Sequence, residues 1–294
     1  MSAAVVLMAY GSPEQLEDVP AYYADIRGGR PIRPELLAEL VERYRALGIE
    51  GGSPLNAITE QTRAALEREL GIPVFTGMRH WRPRIAEAVE AALADGADTI
   101  VGLVLAPHYS RMSIGAYHRR LEEAVGGRAE LAFVERWGEE PGYVDLVANR
   151  IRDSLGESEA HVVFTAHSLP ARVLDEDDPY RDELLRSSSL IAERAALRDW
   201  SFSFQSASAT GEPWLGPDIL EHLETLRSRR VLVAPIGFVA DHLEIRWDID
   251  TQAQAKAREL GIELERIEMP NADPAFVAVL AGIVRRALSV PSAR

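Results

Sequence analysis

A chain of 294 residues, 47% of them hydrophobic, is long enough for two packed units, and its scattered Gly and Pro leave no low-complexity tract. The formal net charge of -14 argues against a general nucleic-acid or anionic-membrane surface, since both need a basic footprint. The absence of cysteine excludes disulfides, thiolate metal sites, a catalytic thiol and a cysteine-bound iron-sulfur cluster. Lys256 is the single lysine among 32 basic residues, so anion recognition must fall to arginine forks or backbone amides.

The N-terminus, MSAAVVLMAYG, lacks the basic region of a secretory signal, its first cation being Arg27. Apolar runs such as IVGLVLA at 100–106 are too short to span a bilayer. These features predict a cytoplasmic protein with no transmembrane segment and no nucleic-acid partner.

Short β-branched runs alternate with longer amphipathic segments, as in βαβ units around a parallel sheet. Strands are predicted at 4–9, 73–77, 99–106 and 131–135, with helices at 35–47, 57–70, 82–95 and 113–125. The second half predicts strands at 161–166, 201–205, 230–239 and 262–268. Its helices fall near 140–155, 180–197, 215–227 and 243–260, and a last helix starts at 273. VVLMAYGSP matches HVVFTAHSLP in character, and LVLAPHYS matches VAPIGFVADH, as in a distant duplication. The α/β fold class is therefore two Rossmann-like lobes, 1–137 and 138–272, each with a four-stranded parallel sheet flanked by helices.

Ligands of open parallel sheets bind beyond the carboxyl ends of the strands. Tyr10, His80, His108, His167, His242 and Glu244 are expected along one rim, facing a cleft between the lobes. His167, in FTAHSLP, reads either as a turn histidine satisfying a local carbonyl or as a functional imidazole. Glu244 either closes a capping box begun by Asp241 or starts a row of carboxylates with Asp248 four residues on. Such a row attracts a cation or passes protons, and position 252 continues its line. Asp250 lies off that face and reads as a solvated acid. Tyr10 either lids its strand or faces the ligand, and Arg27 and Arg30 frame two glycines in a loop suited to a carboxylate-bearing ligand. Ser53, Arg79, His80 and Tyr117 are weaker candidates by themselves. No dinucleotide fingerprint, phosphate loop, HExxH or GxSxG elbow occurs.

The motifs MAYGSP, YYADIRGGRP, GGSPLNAITEQ, APHYS, FTAHSLP, DPY, FQS, PWLGPD, GFVADHLEIRWDID and EMPN stand in the order found in ferrochelatases. The chain resembles that family from about residue 4 to 288. It looks most like the Gram-positive-type branch, which inserts ferrous iron into coproporphyrin III, because Tyr10 stands where the protoporphyrin-using mitochondrial branch typically has methionine.

The resemblance implies a chelatase-like pair of lobes with a porphyrin cleft between them, and a C-terminal helix, 273–294, packed back on the first lobe. It implies His167 and Glu244 as catalytic groups, with His167, Glu244, Tyr10 and Asp248 as metal ligands or guides. His167 would either ligate iron or accept a pyrrole proton. Tyr10, Arg27, Arg30, Ser53, Arg79 and Tyr117 would bind the macrocycle. Iron is then a substrate, with no prosthetic group, and the protein a monomer able to hand its product to the coproheme decarboxylase. The chain departs from the family pattern at Gly28, where a second basic residue is common, at Gln252, where glutamate is common, and at Arg79, where lysine is frequent. Protoporphyrin IX as substrate, a non-catalytic tetrapyrrole carrier and a cobalt chelatase are the competing readings.

Overall fold

A computed structural model describes residues 2–48, 53–208 and 211–289. The first sheet contains β1 (Ala3–Ala9), β2 (Val74–Met78), β3 (Thr99–Val104) and β4 (Glu130–Val134) in the order β2-β1-β3-β4. The second contains β5 (His161–His167), β6 (Trp200–Gln205), β7 (Arg230–Pro235) and β8 (Glu263–Arg266) in the order β6-β5-β7-β8. Every pairing is parallel. The identical order gives the two halves matching topological switch points, between β1 and β3 and between β5 and β7.

Burial on both faces explains why the strands are near-continuous apolar runs. Side chains alternate across a strand, so Val5 and Leu7 face one way while Val6 and Met8 face the other. Val5, Leu7, Val101 and Leu103 share one core with Val162, Phe164, Leu232 and Ala234 of the second sheet. The helices α6 (Pro141–Leu155) and α10 (Pro274–Ser289) contribute Tyr143, Ile151, Phe276 and Leu280 to that core. The outer face of the first sheet is covered by α4 (Ile85–Ala94) and α5 (Ile114–Val125). On the second sheet, α8 (Ile219–Thr225) and α9 (Gln254–Leu260) do the same. Helix α10 packs against α3 (Leu55–Leu70), β3 and β4 as well as α6. The last five residues of the helix expected to reach 294 lie outside the described residues.

The structure corrects several expected boundaries. The run 230–239 is strand only to Pro235, because Gly237 and its neighbours turn across the end of β5. The helix expected over 215–227 covers Ile219–Thr225, since Asp218 caps it by accepting from the Leu220 N–H. A helix absent from the sequence reading, α1 (Val19–Ile26), starts with Pro20 in its first turn, where a missing N–H costs nothing. The stretch 243–260 is not α-helical throughout: Ile245–Ala253 winds as a π-helix before α9. Helices α1 and α2 (Pro34–Ala46) close over it, with Val19 and Tyr44 packed on Leu243.

Candidate active site

His167 ends β5, where Tyr180 at the start of α7 (Tyr180–Arg194) donates its hydroxyl to the His167 carbonyl at 3.0 Å. The next residue is fixed by Ser168 N–H to Gln205 O (2.7 Å) and Ser168 Oγ to Leu215 O (2.7 Å). The His167 Nδ1–H donates to the Ser168 carbonyl, which leaves Nε2 as the nitrogen facing Glu244.

Glu244 arrives from the neighbouring strand. After β7 the chain passes so near β5 that a Cβ on Gly237 would lie 2.5 Å from Ala166 Cβ and 2.8 Å from its Cα. Glycine is the residue that permits that crossing. Tyr143 pins the loop through its hydroxyl to Ile236 O (2.9 Å). Asn271, in the EMPN motif, braces it by donating its N–H to Val239 O (2.7 Å), accepting the Asp241 N–H at Oδ1 (2.8 Å) and donating Nδ2–H to Asp241 Oδ2 (2.8 Å). Asp241 therefore takes no part in a capping box with Glu244: its other oxygen lies 3.1 Å from Arg266. Asp250 is not a free solvated acid, because both its oxygens pair with Arg266 at 2.8 and 3.0 Å.

The result is a carboxylate held between two imidazoles. Glu244 Oε1 lies 3.5 Å from His167 Nε2, and Oε2 lies 3.6 Å from His242 Nε2. Burial resists charging both partners. The Glu244 charge, the hydrogen bond between them and the Ser168 carbonyl overcome this at His167 and raise its pKa to about 9. Burial likewise opposes ionisation of Glu244, but His167 and His242 hold it well below the usual carboxylate range. The pair rests as imidazolium and carboxylate, although 38% of the Glu244 side chain is exposed.

Asp248 follows on the same face. A π-helix has wider turns than an α-helix and is frequent at functional sites, and here it keeps Asp248 beside Glu244 while burying it to 8% exposure. Burial first, and the Glu244 charge second, push Asp248 up to about 6. Its partner is the Ser206 hydroxyl, from a residue with φ of 63°, outside the regular strand. Sequence reading missed Ser206, whose only signal was its place in FQS after β6.

Tyr10 directly follows β1, the counterpart of β5, and is 40% exposed. Desolvation first, with the charges of Glu244 and Asp25, raises its phenol to about 12 against the opposing pull of Arg79 and Arg120. Gly11 is required beyond it, with φ of 84° and a notional Cβ 2.7 Å from Trp81 Cβ. Arg79 lies over the rings of both Tyr10 and Tyr117, at 5.9 and 5.4 Å, and donates to Met112 O at 3.1 Å. Arg84 and Arg120 both donate to the Arg79 carbonyl, so three guanidinium groups gather at this rim. Sequence reading missed the last two because each sits in an ordinary helical pattern. It also missed Arg43 on α2, which stacks over Trp247 at 5.7 Å.

Arg27 and Arg30 close the turn after α1, each donating its Nε–H to the other's carbonyl (3.3 and 3.0 Å). Ser53 is buried, and its Oγ accepts the Leu55 N–H at 3.4 Å at the start of α3. Tyr117 is buried at 3% exposure. The glycines preceding Ser53 in GGSPL lie outside the described residues.

Two expected rim histidines are not free groups of the cleft. His80 is 4% exposed and donates Nδ1–H to Asp25 at 2.8 Å, with its ring 4.6 Å from that of Tyr10. Burial, aided by Arg79 and Arg120, lowers it to about 4 despite Asp25. His108 joins the lobes, its Nε2 2.9 Å from Ser187 Oγ, and burial lowers it to about 3. Among the described residues no three or more His, Cys, Asp or Glu side chains form a cluster able to hold a metal ion. No described helix is long and apolar enough to cross a membrane.

Comparison with known proteins places the whole chain in a family. The Ferrochelatase family model matches residues 2–288. A ferrochelatase of Herpetosiphon aurantiacus is 46% identical, with 96% of this chain and 97% of that protein covered. A coproporphyrin III ferrochelatase of Halalkalibacterium halodurans is 38% identical, with 97% of each covered. Among solved structures, SirB from Bacillus subtilis with Fe3+ shares the fold at a TM-score of 0.64 and 12% identity, over 98% of this chain and 96% of that one. The chain belongs to the ferrochelatase family, lyases that insert metal into a porphyrin in haem synthesis.

Proposed function

We propose that this ferrochelatase inserts ferrous iron into coproporphyrin III, with His167 and Glu244 as its catalytic groups. The observation that carries the reading is that Tyr10 follows β1 of one sheet while His167, at the end of β5 of the other, meets Glu244 from the segment after β7. A flat macrocycle between the lobes, 1–137 and 138–272 in this reading, would meet the phenol on one side and the pair on the other.

Insertion exchanges two pyrrole protons for one divalent ion. His167 presents Nε2 in a fixed direction because Nδ1 is committed to the Ser168 carbonyl. Its resting proton, shared with Glu244, must first move outward, and Asp248 is the next acceptor along that face. An acid raised to about 6 both takes and releases protons near neutrality. Nε2 then accepts the two pyrrole protons in turn, the first passing outward by way of Glu244 and Asp248 before the second arrives, and Glu244 guides the incoming cation and stabilises the imidazolium that forms each time. Tyr10 offers its oxygen to iron from the opposite face.

Coproporphyrin III carries four propionates where protoporphyrin IX carries two, so it needs more cationic partners. Arg79, Arg120 and Arg84, the last already paired with Asp25 of α1 at 2.9 Å, would supply them together with Arg27 and Arg30 in the turn after α1, beside Tyr117 and Ser53. The name of the Halalkalibacterium halodurans relative supports the same substrate. The reading includes a cytoplasmic monomer that passes its product to the enzyme decarboxylating iron coproporphyrin. Its test is the ratio of kcat/KM for the two porphyrins under anaerobic ferrous iron. A preference for coproporphyrin III is expected, and equal or reversed values would overturn the substrate assignment.

A further inference from the structure

At the end of the second sheet away from the cleft, side chains with no part in porphyrin metalation converge. His161 opens β5, Ser201 is the second residue of β6, and His222 lies in α8. His161 Nδ1 lies 2.8 Å from Asp199 Oδ1, and its Nε2 lies 2.6 Å from Ser201 Oγ. His222 Nε2 reaches the same oxygen at 2.7 Å. The bonding closes with both rings neutral: His161 Nδ1–H donates to Asp199, Ser201 O–H to His161 Nε2, and His222 Nε2–H to Ser201 Oγ. Burial and the neighbouring His161 keep His222 below its ordinary pKa, which favours the uncharged, ligating form.

Two imidazole nitrogens aimed at one point form the donor set of a borderline divalent cation. The Asp199 carboxylate on Nδ1 sets Nε2 as the lone-pair nitrogen of His161, the same support that orients zinc-binding histidines. Ser201 sits in a regular edge strand opposite Val163 rather than on the sharp strand-to-helix turn that exposes a nucleophile, so a covalent role for Asp199, His161 and Ser201 is not supported.

We propose that His161 and His222 form a second transition-metal site, distinct from the cleft, that takes Zn2+ through both Nε2 atoms, with the Ser201 oxygen and water completing four ligands. His222 carries its proton on Nδ1 in the bound form, and the serine hydroxyl turns its hydrogen away. Six residue steps along β5 separate this site from His167, about 20 Å at the usual strand rise. Nitrogen ligands favour Zn2+ over Fe2+, so the site would not draw off the substrate ion.

The test is Zn2+ titration calorimetry on the full chain, comparing wild type, His222→Gln, Ser201→Ala and His167→Ala, with a metal-free melt of each variant to establish folding. Wild type and His167→Ala should both show the site, and His222→Gln should weaken it about tenfold or more while leaving the anaerobic porphyrin metalation rate unchanged. Zn2+ should raise the Tm of wild type and not that of His222→Gln. Folded His222→Gln with wild-type Zn2+ affinity would overturn the proposal, as would wild-type binding that disappears entirely in His167→Ala.

Discussion

Glu244 separates what charge pairing does from what hydrogen bonding alone would do. With His167 raised to about 9 and Glu244 depressed, each favours the charged form of the other. The stabilisation from His167 is present below its ordinary pKa of 6.5 and is lost as pH rises through about 9. That from Glu244 is present above 4.5 and is lost as pH falls through its depressed value. The imidazole carbon protons of His167 in the porphyrin-free protein should therefore titrate by NMR near 9. In Glu244→Gln the midpoint should fall, because burial is then opposed only by the Ser168 carbonyl and the charge of Asp248. An unchanged midpoint would show that Glu244 does not set the charge of His167.

At the same scale, sequence singled out His167, Glu244, Asp248 and Tyr10 through residue type at strand ends and through the family motifs, and the first three lie together in the structure. It did not show that His242 is the second imidazole on Glu244, or that Asp241 and Asp250 belong to Arg266. A row of acids in sequence carries no information about which of them a distant arginine will neutralise, and Arg266 arrives from a separate strand. Ser206 and Arg120 escaped for a related reason, since each acts through a contact with a segment distant in sequence, whereas Arg84 sits in an ordinary helical pattern only five residues from the Arg79 carbonyl it reaches.

Element geometry explains why the motifs extend well beyond the reacting groups. Gly237, Asn271 and Tyr143 do not touch the substrate in this account; they carry the segment after β7 across the end of β5. Gly237→Ala places a methyl against Ala166 backbone and should cost about 1–3 kcal/mol of stability by overpacking. It should also lower metalation more than it lowers stability, because the loop bearing His242 and Glu244 moves off His167. Chemical denaturation and metalation rate measured on one preparation check both; full activity in a stable variant would contradict the account. The π-helix was not legible, since spacing by four residues places Glu244 and Asp248 together in either helix type. The two four-stranded parallel sheets, by contrast, were legible from two similar halves, each with four apolar runs separated by helices; their strand order was not.

For the whole molecule, the sequence showed two lobes but not what holds them together. The APHYS motif reads as a rim segment, yet much of it ties one lobe to the other. Asp178 is buried and accepts from Ser110 Oγ (3.0 Å) and the Arg111 N–H (2.8 Å), while Glu183 accepts the Tyr109 N–H (2.7 Å) and pairs with Arg136 (2.6 Å). These buried acceptors lie across the boundary between the lobes, and one core runs through both sheets. Asp178→Ala should cost about 1–3 kcal/mol, as expected for buried donors left unpaired. Denaturation should show a lowered midpoint, and an unchanged midpoint would mean that the lobes are joined by the apolar core alone.

The most direct measurement is anaerobic absorbance spectroscopy of ferrous iron insertion into coproporphyrin III by wild type and His167→Ala, with porphyrin binding followed by fluorescence quenching. The account predicts rapid conversion by wild type and a loss of about 100-fold or more in the variant, with porphyrin still bound. Conversion by His167→Ala at the wild-type rate would contradict the claim that this imidazole, paired with Glu244, performs the reaction.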